Sequence, residues 1–186
     1  LEPQLGHKHL RVVAPISYGT DSTFGLFDEF NRLDFPIRWV TRAVTMSKTD
    51  VADELSSERR KLKGKTQSLT ATIADATGQQ NMDNIDDVAV DRLAEVRDAM
   101  NAVEGDHISF VYYSTAIIVM DEDREVVEEK AKLIRQIFIE RGMQRVKIED
   151  FNAIDAWLGC IPGLVGANIR RPLISTGNLI HMMPLA

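Results

Sequence analysis

The sequence predicts an α+β fold made of two β-α-β units with an antiparallel helical hairpin inserted between them. In the first half, two strand-like segments flank a helical pattern, and the same order returns after residue 105. Between the halves, apolar residues recur at helical spacing on both sides of a short polar stretch. This order of elements is typical of a ferredoxin-like domain, in which helices cover one face of a sheet.

Composition agrees with a globular domain. The 186 residues are 44% hydrophobic and 27% charged, which excludes wholesale disorder. The net charge of −6 disfavours a dedicated nucleic-acid-binding protein. The one cysteine, Cys160, cannot form an intramolecular disulfide, which favours a reducing compartment. No apolar run reaches the roughly 18 residues of a membrane span. The missing initiator Met and the apolar C-terminal end predict a piece of a longer protein.

The first β-α-β unit is predicted over about residues 10–46. A β-type run at 10–15 ends at a proline, and large apolar residues then recur at helical spacing over 24–33. After Pro36, the alternation of two sets of side chains predicts a strand over 37–46.

The helical hairpin is predicted over about residues 47–103. Ser47 and Asp50 have the spacing of a capping box, and leucines then recur every seven residues along the first helix. A polar loop at 78–81 separates it from a second amphipathic helix over 84–103. Two such helices joined by a short loop pack antiparallel.

The second β-α-β unit follows at residues 108–149. The segment 108–120 is rich in β-forming residues, and the acidic residues 121–123 suit the start of a helix. That helix places one apolar stripe toward the core: Val126, Val127, Ala131, Ile134, Ile137 and Phe138. Gly142 ends it as a C-cap, and 144–149 predicts a short strand.

The remainder of the chain is apolar. Residues 152–158 predict one or two helical turns, and only two charges follow up to residue 186. We therefore predict an α+β domain over 1–157 and an apolar tail over 158–186 that packs on this domain or on the next one.

One basic run is a candidate docking patch. Five cations fall within seven residues of the first hairpin helix, namely Arg59, Arg60, Lys61, Lys63 and Lys65. They indicate either a solvated helix face or a surface for acidic headgroups or a partner protein. Gly64-Lys65-Thr66 matches the end of a phosphate-binding loop, but the preceding glycine and the buried strand are missing, so we predict no nucleotide site.

No other pattern predicts a catalytic or metal site. Phe110 to Tyr113 matches half of an RNA-recognition octamer, and a core strand explains it better. His7 and His9 share a strand face, but no further ligand completes a metal shell. Cys160 has no nearby histidine and is interpreted as a small packed residue. We predict no cofactor and no metal in this chain.

Three sequence blocks carry a family resemblance. Residues 152–163 read NAIDAWLGCIPG, residues 178–185 read NLIHMMPL, and residues 32–39 read RLDFPIRW. Asn168, Arg170 and the following RPLIST continue the match. These blocks resemble the TrbE/CagE/VirB family, the ATPases of type IV secretion and conjugation systems, and are most similar to its TrbE branch. Cys160 departs from the pattern, which has a small polar residue there.

The resemblance implies a function for the parent protein and a role for this segment of it. Family members have a non-catalytic N-terminal domain followed by a RecA-like ATPase domain, and this chain resembles the former and stops before the latter. ATP and Mg²⁺ would serve the parent, which drives pilus assembly or substrate transfer. This segment would dock to other secretion components at the bacterial inner membrane, on its cytoplasmic side, and to neighbouring subunits.

Two rival functions remain open on the sequence alone. An RNA- or single-strand-binding α+β module would show salt-dependent affinity for nucleic acid. An independent nucleotide-binding enzyme would depend on Lys65.

Overall fold

The computed structural model describes residues 3–19, 22–76, 82–105, 108–143, 145–164, 166–167 and 171–183, and only the backbone within 65–92. The chain divides into two compact units. The first, called the sheet unit, combines Leu1–Thr45 with Val111–Ala186, and the second, called the hairpin unit, is Met46–Phe110.

The elements alternate between strands and helices along the chain. In order they are β1 (Gln4–Leu5), β2 (Lys8–Ser17), a 3-10 helix (Asp28–Arg32), β3 (Arg38–Thr45), α1 (Lys48–Ala76), α2 (Met82–Glu104), β4 (Phe110–Asp121), α3 (Arg124–Glu140), β5 (Arg145–Ile148), α4 (Ala153–Gly159), β6 (Leu173–Ser175) and α5 (Thr176–Met182). This content confirms the predicted α+β class.

β4 lies at the centre of the sheet. It pairs antiparallel with β2 on one edge, with Ile118 opposite Val12, and with β3 on the other, with Ala116 opposite Val40. β1 and β5 both pair antiparallel with β2, and β6 pairs with β4. Since successive side chains of a strand point to opposite faces, β4 contributes to a core on each side of the sheet.

The larger core lies between the sheet and α3. The α3 residues predicted to face the core are buried, apart from Val126, which is half-buried. Asp123 caps the helix, since its carboxylate accepts the Glu125 backbone N–H at 2.8 Å. Four aromatic rings (Phe27, Phe30, Trp39 and Phe138) extend this core, and the Phe30 and Phe138 ring centroids lie 4.7 Å apart.

The smaller core lies on the opposite face of the sheet. Leu10, Val12 and Ile118 form its floor, and Ala156 and Cys160 from the α4 region cover them. The alternation along β2 therefore separates Val12 from Val13, which lies in the larger core.

The predicted helix over 24–33 is wrong. Only Asp28–Arg32 is helical, as a short 3-10 helix. Gly25 adopts φ +69°, outside the helical region, and a β-carbon there would lie 2.5 Å from Asp28 Oδ2. The apolar spacing reflects the burial of Phe27 and Phe30, not a continuous helix.

The predicted end of the first strand at Pro15 is also wrong. β2 continues to Ser17, and Pro15 lies opposite Val146 of β5. The pairing shifts register between Pro15 and Ser17. A bulge of this kind accommodates a residue that has no N–H to donate.

The hairpin unit consists of α1 and α2 packed against each other. Ser47 begins α1 as predicted, because its Oγ accepts the Asp50 backbone N–H at 3.1 Å. Lys48 Nζ donates to the Glu104 carbonyl at 3.0 Å, which joins the start of α1 to the end of α2. The predicted loop at 78–81 lies outside the described residues. Among the residues described, no helix combines the length and apolar character that crossing a membrane requires.

Part of the apolar tail packs within the sheet unit. Ile174 of β6 and Met182 of α5 are buried in the larger core. Tyr113 of β4 donates its backbone N–H to the Pro172 carbonyl at 2.9 Å and its hydroxyl to the Met182 carbonyl at 3.2 Å. The division of the chain at residue 157 into a domain and a tail stays a prediction.

Two adjacent methionines test this packing. Met182 is 0% exposed and Met183 is 44% exposed. We expect Met182→Ala to lower the free energy of unfolding by about 2–5 kcal/mol, because it leaves a cavity in the core. Met183→Ala serves as the matched control and should change that free energy by less than about 0.5 kcal/mol. Urea unfolding followed by circular dichroism measures both. Equal effects of the two substitutions would show that α5 does not hold this position in solution.

Candidate functional site

The strongest candidate site surrounds α4 on the face of the smaller core. Ala153 and Ala156 face the sheet, and their small side chains allow the helix to approach β2 closely. Cys160 continues this face one turn later and packs with Leu10 and Ile118. The segment that carries the most specific sequence block thus forms a short helix against the sheet.

Arg42 of β3 holds the loop that follows α4. Its guanidinium donates from Nη2 to the Ile161 carbonyl at 3.1 Å and from Nη1 to the Leu164 carbonyl at 3.3 Å. Within the loop, the Leu164 backbone N–H donates back to the Ile161 carbonyl at 3.2 Å, and Gly163 adopts φ +87°. The loop is therefore a tight turn anchored by a charge-assisted pair of hydrogen bonds.

A small cavity of about 30 Å³ lies between the sheet and this segment. Its walls are mostly small apolar side chains, with a few polar groups, among them Arg42, Ser114, Glu149 and Cys160. The volume suits a water molecule or the tip of one side chain, and it is too small for a nucleotide.

Glu149 is the most deeply buried charged residue in this region. It is fully buried, and the Lys147 ammonium lies 3.8 Å from its Oε2. Its backbone N–H donates to the Val12 carbonyl at 2.9 Å, which fixes it beside β2. A buried carboxylate of this kind positions its surroundings at a desolvation cost.

Cys160 has no nucleophilic character. Burial raises the pKa of its thiol to about 11, and the positive charge of Arg42 only partly opposes this effect. The Sγ donates to the Ala156 carbonyl at 3.2 Å. The thiol is therefore neutral near pH 7, as expected for a packed residue.

The predicted docking patch lies on α1 of the hairpin unit. The side chains of Arg59, Arg60, Lys61 and Lys63 are exposed. Lys61 Nζ lies 3.3 Å from Glu58 Oε1. The side chain of Lys65 lies outside the described residues. Arg59 and Lys63 are one helical turn apart and share a side of α1.

The backbone of Gly64, Lys65 and Thr66 lies inside α1, which continues to Ala76. In a continuous helix each N–H is bonded to the carbonyl four residues back and cannot converge on a phosphate. The helix therefore supports the prediction that this motif is not a phosphate-binding loop.

The remaining candidates have structural partners. His7 Nε2 lies 3.0 Å from Glu122 Oε1, and His9 Nδ1 lies 3.3 Å from Gln4 Nε2. Over the stretches of chain that the structure describes, no group of three or more metal-ligating side chains comes together. Tyr113 is fully buried in the larger core, so its ring is not available to stack on a base.

Sequence reasoning missed Arg42 and Glu149. Both occupy strand-like segments in which a charged residue is ordinarily read as solvent-facing. Their partners lie on α4, its loop and β2, far away along the chain, so no local spacing identifies them.

Comparison with known proteins identifies the chain. Residues 63–170 match the family described as "CagE, TrbE, VirB family, component of type IV transporter system". All of the chain aligns with the second portion of a probable conjugal transfer protein TrbE of Sinorhizobium fredii (strain NBRC 101917 / NGR234), at 31% identity over 185 residues and 27% of that relative's length. All of it also aligns with the conjugal transfer protein TrbE of Rhizobium radiobacter, at 29% identity and 22% of its length. The chain thus spans about a quarter of these relatives.

The raised pKa of the Cys160 thiol leads to a testable pH dependence. At pH 8, a pKa of about 11 leaves a thiolate fraction on the order of a hundredfold below that of an unperturbed cysteine. We expect iodoacetamide to modify native Cys160 at least that much more slowly than the urea-unfolded chain, with the native rate rising tenfold per pH unit up to about pH 11. A native rate equal to the unfolded rate would contradict the buried position.

The same reaction tests the role of Arg42. We expect Arg42→Ala to accelerate modification of Cys160 several-fold, because the loop over the thiol loses two hydrogen bonds. Loss of the positive charge alone would raise the thiol pKa and slow the reaction, so acceleration reports opening of the loop. Arg38→Ala, at the other end of the same strand face, is the matched control and should leave the rate unchanged.

Proposed function

This chain belongs to the CagE, TrbE, VirB family of type IV transporter components, and on that basis we propose that it is the N-terminal interaction domain of a conjugative transfer ATPase. In this proposal the chain itself is non-catalytic. It docks to inner-membrane components of the transfer system and to neighbouring subunits of the parent protein. The observation that carries the proposal is the alignment of the whole chain with about a quarter of each conjugal transfer relative.

The parent protein would supply the chemistry. A RecA-like domain beyond this segment would bind ATP and Mg²⁺ and drive pilus assembly or substrate transfer. The chain would contribute no ligand to the nucleotide, in keeping with the helical backbone of Gly64 to Thr66 and with a cavity that is too small for one.

A ferredoxin-like arrangement of the sheet unit is part of this proposal. Antiparallel pairing gives the neighbours β5-β2-β4-β3, and this alternating order supports the interpretation. The hairpin α1–α2 is then an insertion between the second and third of these strands along the chain.

The basic run on α1 is the proposed contact with an acidic surface at the cytoplasmic side of the inner membrane. Four exposed cations within five residues (Arg59, Arg60, Lys61 and Lys63) attract acidic headgroups or an acidic protein surface despite the net charge of −6 on the chain.

Cell fractionation tests this role. We expect the chain, produced in donor cells that carry the related transfer system, to sediment with the inner membrane, and to do so less in cells without that system. Each basic side chain near an acidic surface contributes about 1 kcal/mol, so Arg59→Ser/Lys63→Ser should lower the membrane partition roughly thirtyfold.

A double variant on α3 is the matched control. Lys132→Ser/Arg135→Ser removes two exposed cations at helical spacing from the sheet unit and should leave the partition unchanged. Membrane association that is independent of the transfer system, or equal losses in both variants, would contradict specific docking through α1.

A second test concerns nucleotide. We expect no Mg²⁺-dependent binding of a fluorescent ATP analogue to the chain, and no difference between the wild type and Lys65→Ala. In the full-length parent, the same substitution should leave ATP turnover nearly unchanged. Micromolar binding that Lys65→Ala abolishes would instead establish the chain as a nucleotide-binding protein.

A further inference from the structure

α4 is apolar on two opposite sides. One side is buried on β2 through Ala153, Ala156 and Cys160. On the other side, Ile154, Leu158 and Ile161 recur at i, i+4 and i+7. A helix that covers a sheet with one face ordinarily carries polar residues on the other, and a helix apolar all round is ordinarily covered on both sides.

The outer side of α4 is exposed to solvent in this chain. Phe151, one turn before Ile154, is 96% exposed, and Ile154 is 45% exposed. Ile161 and Leu164, in the anchored loop, are 37% and 42% exposed, and Leu158 is half-buried. Single exposed apolar residues are ordinary, but a run of five along one short helix and its loop marks an interaction surface. We call these five residues the α4 outer surface.

The α4 outer surface is held in shape before any partner arrives. The two hydrogen bonds from Arg42 fix the carbonyls of Ile161 and Leu164, the two apolar residues of the loop. The backbone N–H of Ile161 also donates to the Leu158 carbonyl at 3.0 Å, which continues the helical turn past the end of α4. A preorganised surface loses little conformational entropy on binding.

The charges beside this surface are acidic. Asp150 and Asp155, both exposed, are the neighbours in sequence of Phe151 and Ile154. The positive charge of Arg42 is engaged by the two loop carbonyls. An acidic rim disfavours an anionic lipid surface and disfavours a second α4 outer surface carrying the same two aspartates. It favours a partner that places lysine or arginine beside apolar side chains.

We propose that the α4 outer surface binds an amphipathic helix of another protein, one with apolar side chains on one face and basic side chains flanking them. Apolar anchors at helical spacing on the partner would meet Ile154, Leu158 and Ile161, and its cations would meet Asp150 and Asp155. The inference rests on the proposed docking function and adds to it a second surface, distinct from the basic run on α1 and of opposite charge.

Binding of two designed peptides tests the proposal. The probes are an amphipathic helical peptide of leucine and lysine and a matched peptide of leucine and glutamate, each carrying a fluorophore. We expect the leucine–lysine peptide to bind the purified chain at near-physiological salt with a Kd at least about tenfold below that of the leucine–glutamate peptide. Ile154→Ser/Ile161→Ser should weaken that binding about tenfold, and Asp150→Asn/Asp155→Asn should weaken it and reduce its salt dependence.

A matched pair on α3 controls for non-specific attraction to an acidic protein. Leu133 and Ile139 are 42% and 48% exposed, close to the values on α4. Leu133→Ser/Ile139→Ser should leave the Kd unchanged. Urea unfolding of each variant verifies that the fold is retained, because the substituted side chains are on the surface and should alter the unfolding free energy little.

Several outcomes would overturn the proposal. These are equal affinity for the two peptides, equal weakening by the α3 and α4 variants, and no weakening by either. Concentration-dependent dimerisation in analytical ultracentrifugation that Ile154→Ser/Ile161→Ser abolishes would assign the surface to a second copy of this chain. Flotation with phosphatidylglycerol vesicles that the same variant abolishes would assign it to lipid. Fractionation of the α1 variants is scored separately, so failure here leaves the proposed docking function standing, and failure there leaves this surface standing.

Discussion

The burial of β4 on both of its faces is the constraint on which the sheet unit depends. One set of alternate residues, including Tyr113, Ile117 and Val119, enters the larger core, and Ile118 enters the smaller one. A strand with apolar side chains on both faces must be covered twice. The 17-residue α3 covers one face, and on the other the 7-residue α4 and its loop cover part of it.

The unequal covers explain how each side is held. The larger core has aromatic rings and the long apolar stripe of α3, so apolar burial accounts for its stability. The smaller core is built mainly from alanine, cysteine, valine and isoleucine side chains, and polar contacts from Arg42 hold its cover in place. The pair of Arg11 with Glu128, joined at 2.6 Å from Nε to Oε1, plays a similar role between β2 and α3. Such partly buried pairs define position more than they add stability.

This arrangement connects the family resemblance to the proposed docking role. The block at 152–163 contains no side chain placed for catalysis. It forms α4 and the turn that Arg42 anchors, and it leaves an apolar surface outward. Two surfaces of opposite character then exist on one chain: a cationic helix face on α1 and an apolar face with an acidic rim on α4. A protein that connects several partners uses such differences in charge to keep the partners apart.

The sequence by itself determined the α+β class, the strands over 37–46 and 108–120, the α3 face and both hairpin helices, because each depends on periodicity and capping within a short stretch of chain. It also indicated that Gly64 to Thr66 continue a helix. It did not determine the backbone near Gly25 or the course of β2 through Pro15, since φ at a glycine and a bulge opposite β5 depend on residues far away. Only the tertiary structure decided that Arg42 meets the α4 loop, that Glu149 is buried, and that one side of an all-apolar helix stays exposed. Those outcomes depend on which surfaces meet, and periodicity along a chain reports how apolar a face is without reporting what covers it.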